Sequence, residues 1–288
     1  MKTRLGVTGS GGFVGSHLKN NSSSFPSVES VECFDSKNAS LFDIESIKPF
    51  VKDKNVIFHI AGATKAEPDE LMKVNLLGTG NLLEAVRKYS ENKVKIIFTS
   101  SCYVYAPTKT PSKINENSAL APQNIYGLTK KFAEELLEKY HRDYGIDFLT
   151  LRLTNTYGPL CYPNKQSIVA TIIDSTLRSK HFTIHGDGSR MIDLIFVKDI
   201  IEAFSKSLSY NGKKKIFNIC TGNPVSISDI IALTEKITNS KLKTQCQKQP
   251  SSGFLISDPD LAAKELGFSS STTLEDGLSQ TIKWLEQI

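Results

Sequence analysis

Cysteine is sparse in this sequence and never paired at short range. Cys33, Cys102, Cys161, Cys220 and Cys246 stand far apart, and no C-x-x-C occurs. Scatter and an odd count exclude a zinc knuckle and argue against a disulfide framework. Reduced thiols, with Cys33, Cys102 and Cys220 inside apolar runs, fit a cytoplasmic protein. No apolar run approaches the ~20 residues needed to span a bilayer, and no secretory pattern precedes the first strand-like run near Met1. No membrane partner is expected. Basic residues are not massed either: Lys213-Lys214-Lys215 follows Asn211-Gly212 as a solvated turn, within a net charge of only +5. Without a basic block interleaved with aromatics, nucleic-acid binding is not expected. Repeats are absent, no cluster suggests a metal, and the serine runs at 22–24 and 269–271 read as loops. What is present is 288 residues, 39% hydrophobic and 23% charged, enough to bury a sizeable α/β core.

Strand-like and helix-like stretches alternate through the first two thirds. RLGVT (4–8), VECF (31–34), NVIFHIA (55–61), KIIFTSS (95–101) and DFLTLRL (147–153) are apolar runs of strand length. Between them lie helical patterns: FVGSHLKN, a long one over 72–89, and FAEELLEKYHRDY, stopped by Gly145. Such alternation predicts a doubly wound parallel sheet of the Rossmann type. Beyond Gly158 loops lengthen and the pattern mixes, up to a last helix carrying Trp284. The expected division is a nucleotide-binding domain over 1–158 and a smaller C-terminal α/β substrate-binding region over 159–288, with crossovers back to the main sheet.

VTGSGGFVGSHL sets Gly9, Gly12, Phe13, Val14 and Gly15 between the first strand and the first helix. Glycines there permit a tight turn and close approach of a pyrophosphate to oriented helix N–H groups. Asp35 follows Gly15 by twenty residues, at the end of the second strand, where a carboxylate accepts both ribose hydroxyls and repels a 2′-phosphate. The cofactor expected is NAD, with Lys37 nearby leaving NADP as the lesser alternative.

YGLTK places Tyr126 and Lys130 four residues apart, hence on one helix face. A lysine ammonium and the positive nicotinamide ring of the expected cofactor both favour the phenolate, lowering a pKa near 10 toward working pH. FTSS supplies a hydroxyl at a strand end to hold a substrate oxygen.

TGSGGFVG resembles the loop of the short-chain dehydrogenase/reductase superfamily, in its extended branch of nucleotide-sugar epimerases, dehydratases and reductases. HIAG (59–62), VNLLGT (74–79), FTSSCYVY (98–105), YGLTK, LRLTNTYGP (151–159), GDGSRMIDLIFVKD (186–199) and SDPDLAAKELGF (257–268) follow in the same order as in that branch. The resemblance implies Ser101, four before Tyr105, as the working hydroxyl beside Tyr126 and Lys130. It implies that Asp43 and Ile44 flank an adenine, that Ala61, Gly62 and Ala63 line the cofactor, and that Asn75 and Thr79 brace it. His59 reads as a core histidine. It further implies a nucleotide-diphosphate sugar as substrate and a homodimer through helices near 76–89 and 126–142.

Departures narrow the chemistry. Dehydratases of that branch carry an Asp-Glu pair where this chain has Cys102-Tyr103, so elimination is not expected. Cysteine in the 3,5-epimerising members stands one position later, so Cys102 reads as a buried thiol beside the sugar. Tyr103 and Asn155 are expected to contact substrate. An arginine usual before Asp193 is replaced by Ile192, leaving Arg190 and Lys248 as substitute pyrophosphate cations, although lysine lacks the bidentate fork. Asp199 reads as a helix cap. The expected reaction is 4-epimerisation through a transient 4-keto sugar. The rivals are NAD(P)H-dependent reduction of a 4-keto-6-deoxy nucleotide sugar, reduction of a carbonyl without a nucleotide, and cofactor binding by a regulator without catalysis.

Overall fold

The computed structural model describes residues 2–34, 39–163, 167–248 and 253–288. In chain order β1 (Thr3–Thr8), α1 (Phe13–Asn21), β2 (Val28–Phe34), α2 (Ile44–Val51), β3 (Val56–His59), α3 (Pro68–Met72), α4 (Gly78–Tyr89) and β4 (Lys95–Ser101) build one half. There follow β5 (Lys113–Ile114), α5 (Ile125–Tyr144), β6 (Asp147–Leu153), β7 (Asn155–Tyr157), α6 (Ile168–Leu177), β8 (His181–His185), β9 (Met191–Ile192) and β10 (Leu194–Phe196). The chain ends through α7 (Val197–Ser209), β11 (Ile216–Ile219), β12 (Val225–Ser226), α8 (Ile227–Thr238), β13 (Lys243–Gln247), β14 (Ile256–Ser257) and α9 (Leu274–Leu285).

Six parallel strands form the main sheet in the order β11-β6-β4-β3-β1-β2. Every pairing within this sheet is parallel, so both faces must be covered, which is why these strands are continuous apolar runs rather than alternating ones. One face buries Leu5, Phe58, Leu151, Phe204, Phe217 and Phe268. The opposite face buries Ile57, Phe98, Leu83, Ala133 and Phe148. Because Phe204, Phe217 and Phe268 close the first face, the chain before Gly158 does not complete its own core. A third apolar cluster, around Phe182, Ile230, Leu278 and Ile282, belongs to the C-terminal part.

Three local readings differ from the sequence pattern. The long helix starts at Pro68, four residues before the apolar periodicity begins, because proline suits a first helical turn. It also contains a π turn over Lys73–Leu77 that carries the buried Asn75. Ser22–Ser24 form a 3₁₀ turn rather than open loop. Asp199 is not a cap: Phe196 flanks α7, and the Asp199 carboxylate accepts bonds from the backbone and hydroxyls of Ser271 and Thr272 (2.9–3.4 Å), tying the approach to α9.

Candidate active site

β1 ends in a glycine turn with no room for a side chain at Gly9 or Gly15. Gly9 sits at φ +75°, and a Cβ there would lie 2.5 Å from the Ala61 nitrogen. At Gly15 a Cβ would overlap the Gly9 carbonyl, so the helix is pressed directly against the turn. Gly12 flanks α1, and no side chain caps that end. First-turn N–H groups of a helix lack intrahelical acceptors and favour an anion. The turn opens on a cavity of about 1310 Å³ that reaches from Gly9, Gly12, Phe13, Val14 and Gly15 past Ala61 and Gly62 to Ser101, Tyr126 and Lys130. A glycine cradle, an uncapped helix start and a long cleft fit a dinucleotide. Asp35 and Lys37 lie outside the described residues.

At the far end α5 is set by Asn124, whose side-chain oxygen accepts the Gly127 N–H at 2.8 Å. A Cβ at Gly127 would overlap the Tyr103 carbonyl, so the helix start is mounted on the turn that follows β4. The Tyr126 phenol hydrogen-bonds Ser101. Burial pushes its pKa well above the ordinary phenol value, the Ser101 bond opposing only in part. Lys130, also buried, donates to the Thr99 carbonyl at 2.9 Å, and burial pulls its ammonium down to about 8 against the opposing charge of Glu134. The Lys130 ammonium is directed at the strand end and at Gly62, where a Cβ would lie 3.1 Å from Nζ.

Behind these groups runs a buried chain of hydrogen bonds. Thr8 Oγ1 meets His59 Nδ1 at 2.7 Å, His59 Nε2 meets Thr79 Oγ1 at 2.9 Å, and Thr79 Oγ1 donates to the Asn75 carbonyl at 2.6 Å. Because the Thr79 proton is committed to that carbonyl, His59 donates from Nε2 and accepts at Nδ1. Burial first, and then the Lys130 charge, hold His59 down at about 3, so it is a neutral core histidine. Asn75 grips Ala63 through both N–H and C=O (2.8 and 2.9 Å) and donates to Thr129 at 3.0 Å. Thr129 in turn donates to the Tyr126 carbonyl at 2.8 Å. The cofactor-side strand and the tyrosine helix are thereby held in one register.

A second brace escaped the sequence reading. Arg152, 1% exposed, makes a bidentate pair with Glu134 (3.0 and 2.6 Å) and donates to Tyr105 Oη at 2.8 Å. Ser100 completes it with a 2.5 Å bond to Glu134. Only the four-residue step from Lys130 to Glu134 hinted that this carboxylate faces inward.

On the other side of Tyr103 lies a cavity of about 280 Å³, lined by Tyr103, Asn155 and Arg190 together with Gln123, Asn124 and Leu255 among others. Tyr103 Oη donates to Asn155 Oδ1 at 3.3 Å and accepts from Arg190. Lys248 is exposed and lines neither cavity. Cys102 is buried, its thiol pushed up to about 12 by desolvation, and it too faces neither space. Asp43 and Ile44 stand beside the large cleft rather than in its wall. Asp43 caps α2 through Glu45 N at 3.1 Å, and Leu41 and Phe42 provide the lining there. Ala63 and Asn75 likewise support the wall from behind. Among the described residues no cluster suits a metal ion, and no helix is long and apolar enough to cross a membrane.

Residues 5–220 match the model of the NAD dependent epimerase/dehydratase family. A UDP-glucuronate 4-epimerase of Thermodesulfobacterium geofontis is 28% identical over 81% of this chain and 73% of its own. An Arabidopsis thaliana trifunctional UDP-glucose 4,6-dehydratase, UDP-4-keto-6-deoxy-D-glucose 3,5-epimerase and UDP-4-keto-L-rhamnose-reductase is 29% identical over 98% of this chain, which spans 46% of that relative. Among solved structures, the UDP-glucose 4-epimerase of Thermotoga maritima with UDP-glucose superposes at a TM-score of 0.89, with 25% identity and 99% of each chain covered.

Proposed function

The chain belongs to the NAD dependent epimerase/dehydratase family, and from that premise we propose that it is a 4-epimerase of a nucleotide-diphosphate sugar, a UDP-sugar in the first instance. The carrying observation is that Ser101, Tyr126 and Lys130 meet where the cleft from the glycine turn reaches Tyr103 and Asn155, which also line the Arg190 cavity. NAD would lie along that cleft, its pyrophosphate at Gly9–Gly15 and its nicotinamide end near Tyr126 and Lys130, and it supplies reversible hydride transfer and a positive ring. Tyr126, already bonded to Ser101, takes the proton of the C4 hydroxyl, and Ser101 holds the oxygen as it becomes a carbonyl. A positive charge brought into the cleft is what brings the phenol down toward working pH, since burial alone holds it protonated. The 4-keto sugar turns over in the site, and Tyr126 returns the proton once the opposite face has been reduced. Most of this catalysis is positioning.

Arg190, with no carboxylate among the described residues that line its cavity, supports an anionic substrate group there. Cys102-Tyr103, where an Asp-Glu pair would serve elimination, supports oxidation and reduction over dehydration. Exposed Met72, Leu77 and Phe132 on neighbouring helices support a homodimer through that face, and five free cysteines support a cytoplasmic location. The test is to identify the cofactor that co-purifies and to follow interconversion of UDP-glucose and UDP-galactose without added reductant. Bound NAD with catalytic turnover is expected. The second reading, a 4-ketoreductase, draws on the reductase activity in the Arabidopsis relative's name. It requires one NAD(P)H consumed per keto sugar, and that stoichiometry would refute the epimerase.

A further inference from the structure

Tyr103 separates the two cavities. With Asn124 and Asn155 it lines both the large cleft and the smaller space around Arg190, and it alone of the three carries a ring. That ring meets Tyr126 edge-on, centroids 6.1 Å apart at 69°. Each end of the residue is fixed. Its N–H donates to Ser101 Oγ at 3.3 Å, its carbonyl lies where a Cβ of residue 127 would fall, and its hydroxyl is shared between Asn155 and Arg190. With the backbone anchored, the ring swings only by giving up the hydroxyl's contacts to Asn155 and Arg190.

Any substrate that places an anion at Arg190 and a carbinol at Tyr126 must lie along this ring, because the ring stands between the two places. We propose that Tyr103 is the specificity-determining residue of the site: it limits the bulk of the sugar admitted beside Tyr126 and the freedom of the sugar to turn there. This rests on the nucleotide-sugar reading above. The substrates it favours are sugars whose ring slides past an aromatic edge without a bulky substituent on that side. Polar contact and shape are separate functions of the same residue, and two substitutions separate them. Tyr103→Phe keeps the wall and frees Asn155 and Arg190; Tyr103→Ala removes the wall.

The experiment compares wild type, Y103F and Y103A, each checked for an unchanged melting profile and bound cofactor, on a size series of UDP-xylose, UDP-glucose and UDP-N-acetylglucosamine. For Y103F a rise in KM of about tenfold is expected, the cost of one hydrogen bond to a charged group, with kcat altered less than about threefold. For Y103A the ratio of kcat/KM values across the series should flatten by about tenfold, the scale on which pocket shape discriminates. Released 4-keto sugar should also rise relative to epimer. A purely structural tyrosine would lower turnover on all three sugars alike. Should Y103A not fold, Y103F still decides through its split of KM from kcat. If wild type acts on the series while the folded variants keep its KM values and size ratios within about twofold, Tyr103 does not determine specificity. A wild type that neither binds nor converts any of the three overturns the nucleotide-sugar reading, and this proposal with it.

Discussion

His59→Gln should change how stability depends on acid. Glutamine supplies one donor and one acceptor, so the bridge from Thr8 to Thr79 survives while the titrating ring is removed. In the native protein burial holds His59 at about 3, against an ordinary value of 6.5. A depressed native pKa means the stabilisation is fully present above about pH 6.5 and is lost as pH falls toward 3. Over that window the unfolded chain binds a proton that the native state refuses. Each pH unit then costs about 1.4 kcal/mol, or about 3 kcal/mol between roughly pH 7 and 4.5. Glu84, held down at about 2 chiefly by Arg87, destabilises in acid as well, but it does so equally in the variant. The difference between the two profiles therefore isolates one histidine. Urea unfolding at half-unit pH steps measures it. Wild type should lose stability about one proton more steeply than H59Q below pH 6.5. Parallel profiles would refute both the neutral tautomer and the buried chain built on it.

Tyr126→Phe should lower turnover by roughly 10²–10⁴ while leaving cofactor content unchanged by absorbance of the released nucleotide; full activity would remove the proposed base. Gly15→Ala forces α1 away from Gly9 and should abolish cofactor retention in dialysis, with a lowered melting temperature. Glu134→Gln leaves Arg152 buried without its counter-charge and should cost roughly 3–5 kcal/mol in urea unfolding; a loss under about 1 kcal/mol would mean the pair is not the brace described. Asn75→Ala strips partners from Ala63 and Thr129 and should cost about 1–3 kcal/mol, read by denaturation together with a lowered NAD content after dialysis.

The parallel sheet was legible because its strands are buried on both faces and so appear as unbroken apolar runs between amphipathic helices. The glycine turn and YGLTK were legible for a related reason: spacing along one strand-turn-helix or one helix face is a local property. What lay beyond reach depends on distant segments meeting. Arg152 sits in an apolar strand pattern, and nothing local says that Glu134 will neutralise it. Asp199 has the look of a cap in a one-dimensional reading, whereas its partners are Ser271 and Thr272, more than seventy residues on. Lys130 stands at the expected spacing from Tyr126, yet its ammonium is aimed at Thr99, a direction that spacing does not fix.

The contact between Gly127 and the Tyr103 carbonyl also has a meaning for chimera building. Because the start of α5 rests on that carbonyl with no intervening atom, the segments around 101–105 and 124–130 form one inheritance block, although the eighteen residues 106–123 separate them. Gene shuffling among relatives should give active offspring only when both segments come from the same parent. Crossovers between the two should yield folded but silent chains, with the tyrosine displaced from the serine. The intervening stretch is tied instead to the C-terminal part, through the pairing of β5 with β14 and the Glu116 side chain, which accepts the Asn218 N–H at 2.8 Å.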